Sequence, residues 1–298
     1  MRKTLSDFIN KTITIRYKLP TSKISKTSLT VTNDYCLDTT NQNDVAESIY
    51  FSIVDYCLNE SEIDITKLNE HQIYAIENRL RYSNEDELDT QLKYGFFGEV
   101  LLNILLEQFF ASKKIIAKGY FYSPIEKSEP KGYDSFHFFE DDSNNFEFWF
   151  GESKMYISLK TAVTSVFNNI NKALSSKYYE TNLSAILSRT RDIDRTKITP
   201  LFEKIESKLK NERVILKDLI ETYNIKVKYP VLFAYNEKSL DYDDKITNSV
   251  SIIEEIISKT SVLNEIAAEV LFIFVPLDDV IKIKKDVLQW IIEKKLMI

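Results

Sequence analysis

The chain is 298 residues long, with 45 acidic against 39 basic side chains and a formal net charge of −6. This balance argues against a protein that grips nucleic acid unaided, since such binding rests on Lys and Arg neutralising phosphates. No apolar run approaches the ~20 residues that span a bilayer, no apolar segment follows the basic start as in a signal peptide, and Cys36, Cys57, His71 and His137 fit no zinc or disulfide framework.

A cytoplasmic location is therefore the expectation. Only 5 Gly and 6 Pro in the whole chain point to long regular elements. Residues 1–34 alternate in β fashion at Thr12–Tyr17 and Ser28–Val31 and predict two short strands, with a polar turn over 35–42. A helix capped by Asn43 or Asp44 follows to about Leu58, and a second, after Thr66, over 67–81. His71, at the start of that helix, reads as a surface or capping residue. Residues 1–87 hold no catalytic constellation and form a packing or partner-docking region; residues 88–298 form the main domain.

Residues 88–111 predict a largely buried helix. Glu99 falls on its stripe with Leu92, Phe96 and Asn103, and a buried Glu needs either a salt bridge or a metal. Glu107 is expected near the exposed end. Residues 114–122 read as the first core strand. Two aromatic runs around residues 140–145 then predict a β-hairpin, because aromatics favour strands and Asp/Asn/Ser clusters favour turns. Strand alternation puts Phe146, Phe148, Phe150, Glu152 and Lys154 on one face. Antiparallel pairing brings Asp134 beside Glu152 and Lys154. His137 faces away from Asp134 and reads as a packed residue.

An amphipathic helix over 158–176 carries Lys160 in its first turn, where a cation does not complement the helix dipole; Lys160 is a candidate DNA contact, although a surface lysine is the plainer reading. The densest basic cluster follows at 189–217. Its Arg189, Arg191, Arg195 and Lys197 are candidate DNA contacts, although a solvated surface explains the cluster equally well. The apolar runs 230–236 and 269–276 read as central strands buried on both faces, joined through a helix over 247–268 in a right-handed βαβ unit. A last helix spans 278–295. The chain has no Gly-rich phosphate loop, which argues against an ATPase.

Two neighbouring carboxylates repel and call for a cation between them. Mg²⁺ is commonly held by one or two carboxylates with water and phosphate completing its shell, and can then activate water and polarise a phosphodiester. A lysine on the same face can orient that water or offset phosphate charge. Asp134 followed by Glu152-Ser153-Lys154 resembles the signature of the PD-(D/E)XK nuclease superfamily, with Glu99 fitting its helical third acid. The wider pattern Gly98-Glu99, Gly132-Tyr133-Asp134 and Gly151-Glu152-Ser153-Lys154 resembles the nuclease subunit of the Hachiman anti-phage system, over about residues 88–180.

The fold expected is α/β: a mixed central sheet flanked by helices, with a restriction-endonuclease-like core. The expected activity is weakly sequence-selective, metal-dependent DNA cleavage. Glu99, Asp134 and Glu152 would hold Mg²⁺ or Mn²⁺, with Lys154 as the fourth catalytic residue. The resemblance further implies a defence role beside a superfamily-2 helicase that restrains the nuclease until DNA is engaged. Two other classes remain: a non-cleaving subunit of the same fold that serves binding or assembly, and a stand-alone type II restriction endonuclease.

Overall fold

The computed structural model describes residues 1–19, 34–141, 145–189, 191–195, 198–211, 216–237 and 241–297. Its strands are β1 (Ile13–Leu19), β2 (Asp34–Thr39), β3 (Lys113–Lys114), β4 (Ser135–Glu140), β5 (Phe146–Tyr156), β6 (Lys226–Asn236) and β7 (Glu269–Leu277). They form one mixed sheet in the order β1-β2-β7-β6-β5-β4-β3. The near-continuous apolar strands β6 and β7 lie at its centre. β7 is parallel to β6 and to β2, and β5 is parallel to β6. The hairpin β4–β5 is antiparallel, with Phe136 opposite Phe150 and Phe138 opposite Phe148.

The helices are α1 (Lys3–Thr12), α2 (Gln42–Phe51), α3 (Ile53–Cys57), α4 (Leu68–Asn78), α5 (Leu88–Gln91), α6 (Phe96–Phe109), α7 (Leu159–Phe167), α8 (Ile170–Ala173), α9 (Ser176–Ser188), α10 (Pro200–Asn211), α11 (Leu216–Tyr223), α12 (Tyr242–Ile257) and α13 (Val280–Glu293). Alternation along the strands divides the apolar side chains into two cores. Phe146, Phe148, Phe150 and Phe233 face α7, α9 and α12. Trp149, Met155, Leu232 and Ala234 face α2, α3, α6 and α13. The N-terminal third belongs to the second core, and its β2 continues the sheet beyond β7. The buried Asp34 Oδ1 accepts the Phe272 N–H at 2.8 Å, tying that strand in.

Several local expectations change. Residues 3–12 are helical because Leu5 and Ile9, four apart, both bury on one helical face. The stretch 35–42 is not a simple turn: Tyr35 and Cys36 pair with Ile273 and Phe274, and tertiary pairing overrides the polar local signal. The strand expected at Ser28–Val31 lies outside the described residues. The helix expected from 88 breaks at 92–95, before Gly95. The strand expected over 114–122 shrinks to β3. Gly119 presses on the Cys57 carbonyl, where a Cβ would stand 2.5 Å from the oxygen. The chain there turns inward as a short 3-10 segment, Lys118–Phe121, rather than following the sheet. Glu107 is half-buried rather than exposed, its side chain 8% accessible and 4.0 Å from Lys114 Nζ. His137 is a core residue between Ser112 Oγ at 3.0 Å and Asn103 Oδ1 at 3.1 Å. His71 caps, its Nε2 accepting the Asp64 N–H at 3.1 Å.

Candidate active site

Two glycines bring the hairpin and α6 together. A Cβ on Gly151 would stand 2.9 Å from Leu102 Cδ2, and one on Gly98 would stand 3.1 Å from Ser153 Oγ. Only a bare backbone allows α6 to lie this close to β5. The contact sets Glu99, in the first turn of α6, over the end of β5 that carries Glu152, Ser153 and Lys154.

Asp134 immediately precedes β4. Its N–H donates to the Gly151 carbonyl at 2.8 Å, which extends the hairpin ladder by one bond. Its carboxylate reaches across to β5, where Oδ2 accepts the Ser153 N–H at 2.7 Å and the Ser153 hydroxyl at 3.0 Å. Lys154 Nζ donates to Glu152 Oε1, and Glu99 Oε2 accepts the Tyr56 hydroxyl at 2.5 Å. Glu99, Asp134, Ser153 and Lys154 line one open cleft of about 460 Å³, together with Lys93, Gly95 and Lys284. Glu152 is not among the cleft-lining residues and is joined to the cleft through Lys154.

The electrostatics centre on Asp134. Burial and then the Asp134 charge push Glu99 up to about 8, against the pull of Lys118. Burial and then the same Asp134 charge push Glu152 up to about 7, against the pull of Lys154. Burial alone would lower Lys154 and Lys118, but the carboxylates around them outweigh it and hold both above the ordinary lysine value.

Lys118 and Glu129 went unnoticed in the sequence. Lys118 Nζ lies 2.7 Å from Glu129 Oε1 and donates to the Tyr133 carbonyl at 2.7 Å. A lysine next to a glycine in an apolar run is the only local signal, and it fits a strand equally well. Tyr56, 43 residues from Glu99 in the chain, carried none.

The donor set suits a hard divalent cation in its chemistry. Four carboxylates (Glu99, Asp134, Glu152, Glu129) stand against two ammonium groups (Lys118, Lys154), a formal excess of two negative charges. All the carboxylate donors are oxygens, as Mg²⁺ and Mn²⁺ prefer. No three His, Cys, Asp or Glu side chains among the described residues are gathered into a ready metal cage. Each acid accepts its protein donor through one carboxylate oxygen, Glu99 through Oε2, Asp134 through Oδ2 and Glu152 through Oε1, and an ionised carboxylate has further lone pairs to offer a cation.

The candidate DNA contacts are dispersed. Lys160 is exposed, 3.7 Å from Glu255. Arg189 donates to the Tyr120 carbonyl at 2.6 Å and lies over the Phe121 ring. Arg195 grips Glu206 through two bonds of 2.7 and 2.8 Å. Arg191 is exposed, and Lys197 lies outside the described residues.

Fold and site together define an α/β protein with an acidic, lysine-containing cleft where a hairpin and a buried helix meet at the edge of a mixed sheet. The family model for HamA matches residues 6–291. The chain belongs to the HamA family and is thereby a component of Hachiman anti-phage defence. No curated protein and no solved structure matches it. Among the described residues, no helix is long and apolar enough to cross a membrane.

Proposed function

We propose that the chain is a metal-dependent DNA nuclease of PD-(D/E)XK type and the effector of its defence system, working with a superfamily-2 helicase. The observation that carries this reading is the position of Asp134: its charge raises both Glu99 and Glu152 while Lys154 is paired to Glu152. Partly buried carboxylates that must either take up protons or receive a cation are a mark of functional sites.

Glu99, Asp134 and Glu152 would hold Mg²⁺ or Mn²⁺, which when bound supplies an activated water and a polarised phosphodiester. Ser153 fixes Asp134 through two donors, so its carboxylate keeps one orientation. Glu152 keeps Lys154 protonated. The Lys154 ammonium, on the cleft wall, is placed to hold a water by its lone pair and to offset charge building on a phosphate. The helicase would add to the grip on DNA of this acidic chain.

Plasmid cleavage with Mg²⁺ or Mn²⁺, comparing wild type and Glu152→Ala with and without the helicase, tests the reading. Cutting that depends on metal and is lost in the variant is expected. The internal donor on each acid favours a second reading, a non-cleaving assembly subunit. Folded protein that never cuts, even with its partner, would select that one.

A further inference from the structure

We infer that Lys284 is a phosphate anchor, the residue that receives a backbone phosphate of a nucleic-acid strand entering the cleft. The inference rests on the nuclease reading and adds a binding residue from α13 to the cleft that holds its acids.

Lys284 lies on α13 and is only 6% exposed. It nevertheless lines the same open cleft as Glu99, Asp134 and Lys154. Its Nζ donates to the Leu92 carbonyl at 2.9 Å and stands 5.3 Å from the centre of the Phe97 ring. No carboxylate lies within ion-pair distance of it among the described residues.

An ammonium offers three donors, and burying a charge without a counter-ion is costly. One carbonyl and one ring face leave that need largely unmet. The other buried lysines of this chain are treated differently. Lys118 has Glu129 at 2.7 Å, and Lys114 has Glu107 at 4.0 Å and two carbonyls. Desolvation alone acts on Lys284 and holds it down at about 8, so an anion arriving in the cleft would strengthen its charge.

The position fits a phosphate. Lys284 and the exposed Lys93 line the cleft together with Glu99, Asp134 and Lys154. A strand whose scissile phosphate reached the acids would have another phosphate to place against the α13 side. A single carboxylate would also be attracted to the ammonium, but only a polyanionic strand brings one phosphate to Lys284 and another to the acids together.

The salt dependence of binding separates this role from a structural one. The probe is a short fluorescein-labelled single-stranded DNA, titrated with the full chain in EDTA so that nothing is cut. Each phosphate neutralised contributes roughly 0.7 to the slope of log affinity against log salt for a single strand. Lys284→Met is expected to reduce the slope by about that amount and weaken binding, with Lys284→Arg keeping the slope. A purely structural lysine could shift the melting temperature but would leave the slope unchanged.

Lys284→Gln serves if the Met variant fails to fold. A wild-type slope retained in a folded Met or Gln variant overturns the inference, as does a wild-type chain that binds no strand. Cutting by wild type with an unchanged slope in the variants sinks the anchor alone. Strand binding that needs Lys284, without cutting in any metal, sinks the nuclease reading alone.

Discussion

The Tyr56 hydroxyl donates to Glu99 at 2.5 Å, so a short helix of the N-terminal third holds an acid of the cleft. That bond favours the ionised form of Glu99 and opposes the rise caused by burial and Asp134. Tyr56→Phe should therefore push the Glu99 titration above its wild-type position of about 8. Carboxyl carbon NMR of the metal-free protein reads this directly. An unchanged midpoint would show that the hydroxyl does not hold the acid.

Lys154 lowers Glu152 by charge and by hydrogen bond. Lys154→Met should raise Glu152 above its position near 7 and reduce cleavage by about 10²-fold or more. The melting temperature should move little, because both side chains are partly open to solvent. Cleavage rates at matched metal concentration, beside a thermal melt, check both halves. Wild-type cleavage in the variant would remove Lys154 from the chemistry.

Stability should fall with pH in metal-free protein. Glu99 and Glu152 both titrate above their ordinary value of 4.5 when folded. Between that value and about 7 to 8 the native state thus binds more protons than the unfolded chain. The stabilisation is fully present below the unfolded value and is lost as pH rises through the folded values. Glu99→Gln with Glu152→Gln should flatten this dependence and gain on the order of 2 kcal/mol at high pH, reduced from the full linkage value by solvent screening. Urea unfolding at pH 5 and pH 8 measures it. Mg²⁺ at the higher pH should stabilise wild type and not the double variant.

Gly95 has an ordinary helical backbone, so alanine fits its conformation. A Cβ there would stand 2.6 Å from Glu99 Oε1, at the end of a flexible side chain. Gly95→Ala should keep the fold and displace the carboxylate, lowering cleavage while the melt stays near wild type. Equal losses in melt and activity would mean that the helix start, not Glu99, had been disturbed.

Arg195 is bound to the buried Glu206 by two hydrogen bonds. Arg195→Gln should cost about 1–3 kcal/mol, because the carboxylate loses its charged donor. Chemical denaturation reads the loss. A variant as stable as wild type would free Arg195 for a role at the surface.

The hairpin was legible because its signal is local. Aromatics at every second position, broken by an Asp/Asn turn, define strands, face and register together, and so place Asp134 opposite the Glu152 end. The paired strands β6 and β7 were legible from unbroken apolar runs. The helix over residues 3–12 was not, since Leu5 and Ile9 supply only one helical step before a β-patterned stretch. Tyr56, Lys118 and Glu129 escaped for another reason. Their place at the site comes from tertiary packing across the sheet, and periodicity carries no information about which distant side chain meets which.

The order of strands in the sheet also fixes an order of events in synthesis. β1 and β2 leave the ribosome first and the hairpin later, yet the two pairs touch only through β6 and β7, which come last. β2 cannot complete its hydrogen bonds until β7, Glu269–Leu277, has emerged, and the hairpin waits for β6, Lys226–Asn236. The strand that carries Glu152 and Lys154 gains its second neighbour only with β6. A half-made chain therefore has an unfinished cleft, and a cell translating this protein carries no assembled site until nearly the whole polypeptide is free.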